Sequence, residues 1–496
     1  MKSISQIFDD CKPLLDSVTN FIDKHVGSKL LRKCQIHKIA DAVSEKGVEA
    51  ISDNKVSRIY ASSLDESPAT QKLVSAKTLL TDKLMLCYSS TSAYEMFKTD
   101  SFYGDYSKDT FYRFDTMEGA NWERLQLGAA KSLIGEVEST TTDTHTNVLI
   151  FDDSLYARTG GKSTELCAKV FDHNDHKLRL GFRMMTGGWS NNDIFIPFRQ
   201  SLLTTRKGSL MVGPDECVDG RTVRGKRRKL AKTKGTEVVC SMVKEAMDMG
   251  IPFDYVLFDT WFSKPSQLIQ LKEMGAEVIA MVAKTDTKYG VLDSKAGEVK
   301  RLTLKEIHKN NKKRRGRSRY LLSVEATAAD KSGNSIPVRL VFARNRNNRK
   351  DWVCFVCTDL EAGEDEVLRI YGMRWNIETY FKVSKSHLKL RTECHSPNYD
   401  AVTSHMVIVA LRYMILARER YRETDDRTIE ELFAGMKREI QNDITDKAIE
   451  LIIDTLLQSV KEFFSASDAQ MDKLVTLFVS KLPGHWRSRF MVETAA

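Results

Sequence analysis

Short apolar segments alternate with helical segments between residues 144 and 285, and this alternation most limits the folds open to the chain. Two apolar segments, residues 147–151 and Tyr255–Phe258, are each followed directly by an aspartate. Helical periodicity then separates the second segment from a strand predicted over Glu277–Val282. Strands that alternate with helices are typical of an α/β sheet. The sequence therefore predicts such a sheet, with a further helix that begins near Asp193 or Pro197.

The rest of the chain divides by its periodicity into regions around this sheet. The predicted regions are a helical N-terminal region over 1–140, a first part of the α/β core over 141–285, a β-rich insertion over 286–350, a second part of the core over 351–422 and a helical C-terminal region over 423–496. Two short helices around a turn near Gly119 are compatible with a helix-turn-helix that reads DNA. They are equally compatible with plain packing onto the next domain.

The composition favours an anionic partner without identifying one. The formal net charge is +9 over 496 residues. Nine scattered cysteines and no signal-peptide pattern at the start predict reduced thiols and a cytoplasmic protein. The spacing of Cys354 and Cys357 resembles that of zinc ligands, but residues three apart on a strand face opposite sides. The most apolar segment, residues 406–416, contains Arg412 and is predicted to be a buried core helix, not a membrane span.

One stretch of charged and aromatic residues is predicted to lie on a single helix over residues 367–390. At about 100° per residue, several side chains fall within about 60° of Glu378. These are Tyr371, Arg374, Trp375, Lys382 and Lys385. They are either ordinary ion pairs on a solvated helix, worth a few tenths of a kcal/mol each, or a site that holds a metal ion and a phosphate backbone.

Partner carboxylates for Glu378 are found after the two apolar strands. Asp152 and Asp259 each follow a strand of the same predicted sheet, where ligands of α/β proteins gather. Carboxylates without a His or Cys partner are hard oxygen ligands suited to Mg²⁺ or Mn²⁺. Two such ions can serve phosphoryl transfer. Taken singly, each aspartate is as well explained as a turn or cap residue.

The helix also carries a sequence signature. Tyr371, Arg374, Glu378 and Lys385 have the spacing Y-x2-R-x3-E-x6-K, which resembles the signature of DDE transposases of insertion-sequence family four. The order of two strand-end aspartates, a β-rich insertion and the glutamate is similar to that of the family. The resemblance covers about residues 145 to 420.

The resemblance implies a ribonuclease-H-like core and a metal-binding triad. The implied ligands of Mg²⁺ or Mn²⁺, two ions in all, are Asp152, Asp259 and Glu378. Asp152 is preferred over Asp153 because the family's first aspartate usually lies two residues before a Thr or Ser, here Ser154. The implied activity is metal-dependent DNA cleavage and strand transfer in cut-and-paste transposition.

The resemblance also implies how DNA is held. The residues expected to grip DNA near the cleaved strand are Tyr371, Arg374, Trp375, Lys382 and Lys385. Trp352 is similar in placement to a tryptophan that stacks a flipped base, although a core tryptophan is an equal alternative. The expected partners are the inverted-repeat ends of an element and its target DNA, with a homodimer on paired ends and a nucleoid-associated location.

Two basic segments are further candidates for binding DNA phosphates. They are Arg221–Lys234, between the two aspartate strands, and residues 309–319, in the insertion. Either could instead be a solvated loop. Two other functions remain open at this point: a DNA-binding regulator that no longer catalyses, and a metal-dependent nuclease that does not join DNA ends.

Overall fold

The computed structural model describes most of the chain between residues 74 and 481. The described residues are 74, 76–89, 92–98, 106–117, 120–141, 145–158, 161–172, 175–205, 207–292, 297–314, 318–346, 348, 350–422, 427–438, 456–457, 459–461, 464 and 467–481. The helices predicted in residues 1–73 lie outside them. The chain divides into two units, residues 5–433 and residues 434–496 with 1–4.

The helices and strands alternate along the first unit. In chain order they are α1 (Ala76–Met85), α2 (Ala93–Lys98), α3 (Lys108–Asp115), α4 (Trp122–Thr140), β1 (Val148–Ala157), β2 (Ala168–Asp172), β3 (Lys177–Ser190), β4 (Phe195–Leu203), α5 (Val223–Ala231), α6 (Gly235–Asp248), β5 (Tyr255–Phe258), α7 (Pro265–Glu273), β6 (Glu277–Val282), β7 (Lys288–Leu292), β8 (Val299–Thr303), α8 (Leu304–Asn310), β9 (Tyr320–Ala329), β10 (Ser335–Arg344), β11 (Trp352–Cys357), α9 (Glu364–Gly372), α10 (Trp375–Ser386) and α11 (Tyr399–Arg422). Helix α12 (Asp468–Lys481) belongs to the second unit.

A single mixed sheet organises the first unit. Its strand order is β2-β3-β1-β5-β6-β11-β10-β9-β7-β8, and β4 pairs with β3 beside this path. Strands β1, β5 and β6 are parallel to one another, and the remaining pairings are antiparallel. This mixed α/β sheet confirms the predicted fold class at that level.

The strands of the predicted insertion extend the same sheet. β11 pairs with β6, β10 with β11, and β9 with β10. The β7–β8 hairpin joins β9 through β7. The segment over 286–350 is therefore rich in β structure, and its strands continue the central sheet.

Strand β1 corrects the position expected for Asp152. The parallel pairing with β5 ends at Phe151 opposite Phe258, but the antiparallel pairing with β3 continues to Ala157. Asp152 thus lies inside a strand and not at its end. The apolar run in the sequence covers only the first part of β1, Val148 to Phe151, which is fully buried.

The helix predicted near Pro197 is wrong, because these residues form strand β4. All nine residues of β4 are buried, so the strand lacks the alternation that would have identified it. Pro197 pairs with Gly188 where the register with β3 shifts. A bulge is one of the few places in a sheet where proline is tolerated.

The single helix predicted over 367–390 is also corrected. Met373 and Arg374 separate α9 from α10, and the backbone hydrogen bonds there span three residues instead of four. Both residues keep helical dihedral angles, so the junction is a short tightened turn between the two helices.

Two apolar helices pack on the sheet. Helix α4, which would be the recognition helix of a helix-turn-helix, is buried along one face, and its Gln126 donates a 2.8 Å hydrogen bond to the carbonyl of Pro197 in β4. Packing on the sheet therefore accounts for the buried face of this helix, and DNA-end binding by the N-terminal region stays a prediction. Helix α11 is long and apolar enough to cross a membrane, but its apolar part is fully buried in the protein, as expected for a core helix.

The basic segment Arg221–Lys234 is not a loop. It forms α5, and three of its arginines point inward toward carboxylates. Arg224 Nε lies 2.6 Å from Asp400 Oδ2, Arg228 Nη2 lies 2.9 Å from the same oxygen, and Arg227 pairs with the other oxygen. Glu123 and Glu165 complete the network by binding Arg227 and Arg228. These arginines therefore tie α4, α5 and α11 together.

We expect Asp400→Ala to lower the free energy of unfolding by about 3–5 kcal/mol, because it removes the carboxylate that Arg224, Arg227 and Arg228 share. Burial raises the pKa of Asp400, but the surrounding guanidiniums outweigh it and hold the pKa below its usual value. Urea denaturation at neutral pH measures the change. The matched control is Asp215→Ala, which breaks a half-exposed pair with Lys232 and should cost less than about 1 kcal/mol. Equal costs would contradict an internal role for the network.

Candidate active site

Asp152 and Asp259 lie side by side because of the register between β1 and β5. Phe151 is paired with Phe258, and the residue that follows each of them is an aspartate, so both aspartates lie at the carboxyl end of the parallel pair. Asp152 Oδ1 accepts a 2.8 Å hydrogen bond from the backbone N–H of Asp153. Asp259 Oδ1 accepts a 3.0 Å bond from the N–H of Trp261.

Arg374 brings the third carboxylate to this edge. Its Nη1 donates a 2.8 Å hydrogen bond to Asp152 Oδ2, and its Nη2 donates a 3.2 Å bond to Glu378 Oε1. The side chains of Arg374 and Asp152 are 15% and 14% exposed, whereas that of Glu378 is 39% exposed. One guanidinium thus bridges the first and third residues of the predicted triad.

The crowding of negative charge shows in the pKa values of the two aspartates. Burial raises the pKa of Asp152 to about 7; Arg374 opposes the increase, and Asp259 and Glu378 add to it. Burial also raises the pKa of Asp259, against the hydrogen bond from Trp261. Two carboxylates that are costly to ionise next to a third are typical of functional sites.

Asp153 has a different partner. Arg183 on β3 donates two hydrogen bonds of 2.9 Å to it, one to each carboxylate oxygen. This fork occupies both oxygens of Asp153, whereas Asp152 shares Arg374 with Glu378. Of the two aspartates, only Asp152 thus shares its arginine with Glu378; the preference for Asp152 as the first ligand stays a prediction.

Tyr371 lies next to the same guanidinium. Its hydroxyl is buried and makes no hydrogen bond of good geometry among the described residues. Burial raises the pKa of Tyr371; the nearby Arg374 lowers it in part, and Asp259 and Asp152 raise it further. A buried hydroxyl that faces this cluster unsatisfied is the kind of group that a substrate or water completes.

The two lysines of α10 differ in their surroundings. Lys385 Nζ donates to the Ser154 hydroxyl on β1. The pKa of Lys385 is lowered to about 8, mainly by burial and also by the nearby Arg391, with Glu378 opposing both. Lys382 is 72% exposed and pairs with Glu430 at 3.2 Å. Only Lys385 is thus directed at the strand that carries the aspartates.

The two tryptophans expected to contact DNA also differ. Trp375, next to Arg374, is 69% exposed. Trp352 begins β11, and Cys354, two residues later, pairs with Val282 at the carboxyl end of β6. Trp352 therefore lies at the same end of the sheet as Asp259. The Trp352 ring stacks on His308 with centroids 4.7 Å apart, and Lys284 Nζ lies 4.3 Å from its centroid. Trp352 is therefore already packed against protein.

Two neighbours of the site were missed from the sequence. Trp261 is 59% exposed and lies two residues after Asp259, a proximity visible in the sequence. Arg183 lies opposite Leu155 on β3 and reaches Asp153. No local pattern identifies Arg183, because its position depends on the register between β1 and β3.

The donor set suits a hard divalent ion, because it consists of carboxylate oxygens alone. Within the described part of the chain, no three acidic, His or Cys side chains are grouped tightly enough to hold an ion. Arg374 lies between Asp152 and Glu378 and contacts an oxygen of each. The residues therefore fit a metal by chemistry, provided that the guanidinium gives up a carboxylate oxygen.

A comparison with protein families gives one match. A family model described as DDE superfamily endonuclease matches residues 64–320, which is more than half of the 496 residues. The matched part includes Asp152 and Asp259 and ends before Glu378. No curated protein matches the chain.

Proposed function

The chain belongs to the DDE superfamily endonucleases, and on that premise we propose that it is a transposase that cleaves DNA and joins the freed ends to a target. The family supports an enzyme that acts on DNA and generally uses divalent metal ions. Cut-and-paste movement of an insertion sequence is the finer step that we propose. The observation that carries the proposed active site is the bridge from Asp152 through Arg374 to Glu378, beside Asp259.

The proposed triad is Asp152, Asp259 and Glu378. Two Mg²⁺ or Mn²⁺ ions bound there would supply an activated oxygen nucleophile and charge neutralisation at the attacked phosphate. The protein's own contribution is to hold three carboxylates at one sheet edge against their mutual repulsion. The register of β1 with β5 fixes the two aspartates, and α10 fixes Glu378 in its first turn, where the helix dipole favours an anion.

The proposed DNA contacts surround this triad. Arg374 presents a planar fork and Lys385 a point charge, both suited to phosphate oxygens. The Tyr371 hydroxyl is available to donate one more hydrogen bond. Trp375 is exposed enough to contact a base or sugar, whereas Trp352 would first have to leave His308. Lys382 is exposed but would share its charge with Glu430.

Sequence-independent contacts are proposed for the remaining basic residues. In α5 the exposed Lys226 and Lys229 stay available for phosphate, while Arg224, Arg227 and Arg228 do not, because they pair with carboxylates of the protein. In the insertion Lys309, Lys312 and Arg314 are exposed; residues 315–317 lie outside the described part. We further propose a homodimer on paired inverted-repeat ends, within the nucleoid of the cytoplasm. A ribonuclease-H-like core is supported by the β1–β3–β4 pairing next to parallel β1, β5 and β6.

The alternatives are a nuclease that does not join ends and a regulator that only binds DNA. We expect the protein, incubated with Mg²⁺, a supercoiled plasmid and end DNA taken from the flanks of its gene, to yield products in which a 3′-hydroxyl end is covalently joined to the plasmid. The physical reason is that cleavage and joining are both in-line displacements at phosphorus, which one triad can serve. Gel analysis of labelled ends measures joining.

The Asp152→Asn protein is the control for joining by a contaminant. If the ends are cleaved but not joined, the protein is a nuclease and not a transposase. Bound and uncleaved DNA with the native protein would favour the regulator.

A further inference from the structure

Arg374 occupies the place between two of the proposed metal ligands. Separate nitrogens of its guanidinium bind Asp152 Oδ2 and Glu378 Oε1, at 2.8 Å and 3.2 Å. The Asp152 and Arg374 side chains are largely buried, so this is a charge-assisted contact shielded from water. A divalent ion needs oxygens from the same two carboxylates. Arg374 and the ion therefore have overlapping binding sites.

We infer that Arg374 is the counter-ion of the metal-free site and competes with the divalent ion, which binds only when Arg374 releases Asp152 or Glu378. The inference rests on the proposed metal-dependent function. Without a cation, buried carboxylates at this edge would repel one another, and the guanidinium relieves that repulsion.

The surroundings of Arg374 allow such an exchange. Arg374 lies at the junction between α9 and α10, so a change of its side chain need not disturb the interior of either helix. Glu378 is 39% exposed, and its weaker 3.2 Å contact is the one easier to break. The buried Tyr371 hydroxyl already lies beside Arg374, and its oxygen can accept a well-aligned hydrogen bond once the guanidinium moves.

The exchange would link metal binding to DNA binding. A guanidinium released from a carboxylate keeps its fork of N–H donors, which then fits a phosphate. By linkage, a phosphate that attracts Arg374 raises the affinity for the ion by the same factor as the ion raises the affinity for phosphate. Protein without DNA would thus hold metal weakly, and protein with DNA would hold it tightly.

The test measures Mn²⁺ affinity without DNA, from the electron paramagnetic resonance signal of free Mn²⁺. If the bridged state holds about 90% of the molecules, removing it tightens binding about tenfold. We expect this gain in Arg374→Ala and in Arg374→Gln. The control is Arg369→Ala, which removes one charge from α9 at an arginine that contacts Glu366 and Thr146. It should change Mn²⁺ affinity less than twofold, because no carboxylate of the site is freed.

Each outcome decides between two claims. Thermal melts show whether both Arg374 variants are folded. Unchanged or weaker Mn²⁺ binding in both folded variants would overturn the inference. The proposed function would still stand if Asp152→Asn weakens Mn²⁺ binding. An equal gain in Arg369→Ala would reduce the effect to net charge and also overturn it. If Asp152→Asn leaves the Mn²⁺ affinity unchanged, Asp152 does not bind the ion, and the proposed metal site itself is wrong.

Discussion

Mg²⁺-dependent cleavage of end DNA is expected to fall at least about a thousandfold when Asp152, Asp259 or Glu378 is replaced singly by its amide. Each amide keeps the shape of the side chain but loses the negative charge that the proposed ions require. Single-turnover nicking of labelled DNA measures the loss. Thermal melts should show little or no loss of stability for Asp152→Asn, because a buried carboxylate with a pKa near 7 is costly to ionise in the folded protein.

Asp153→Asn is the matched control for the triad. Asp153 is one residue from Asp152 but is held by both donors of Arg183. We expect this variant to cleave within about tenfold of the native rate, since its neighbour and not Asp153 shares Arg374 with Glu378. An active Asp152→Asn with an inactive Asp153→Asn would shift the first ligand by one residue. Full activity in a triad variant would remove that residue from the site.

Strands β5 and β6 of the core could be predicted because their burial shows in the sequence. Strand β6 runs over Glu277–Val282 as expected, and β5 runs over Tyr255–Phe258. Both are short apolar segments next to helices of clear periodicity. The same signal failed at β4, where nine buried residues and Pro197 resemble the start of a helix. Continuous burial without alternation does not distinguish a central strand from a buried helix.

The contacts between charged residues were less predictable, because they depend on long-range register. The arginines of α5 appear in the sequence as a basic run, yet their partners Glu123 and Asp400 lie about a hundred residues or more away. The helical wheel placed Arg374 near Glu378 correctly as an i,i+4 pair. It gave no indication that Arg374 also reaches Asp152, since that contact is made across the sheet edge.

Removing the Tyr371 hydroxyl is expected to reduce cleavage at least about tenfold while the protein becomes no less stable. The hydroxyl is buried without a good hydrogen bond, and such a group costs about 1–3 kcal/mol. Tyr371→Phe removes that cost and should keep or raise the melting temperature. If the hydroxyl contacts the reacting phosphate, its loss misplaces the phosphate and slows in-line attack. The measurements are a thermal melt and single-turnover cleavage on the same preparation.

Tyr289→Phe separates the two effects. Tyr289 on β7 is also buried with a hydroxyl that lacks a partner among the described residues, but it lies in the predicted insertion and not next to Arg374. It should gain stability in the same way and cleave at the native rate. Native cleavage by Tyr371→Phe would make Tyr371 an ordinary packing residue beside Phe355, whose ring centroid lies 4.7 Å away. A slower rate in both variants would mean that stiffening of the protein, and not contact with DNA, limits cleavage.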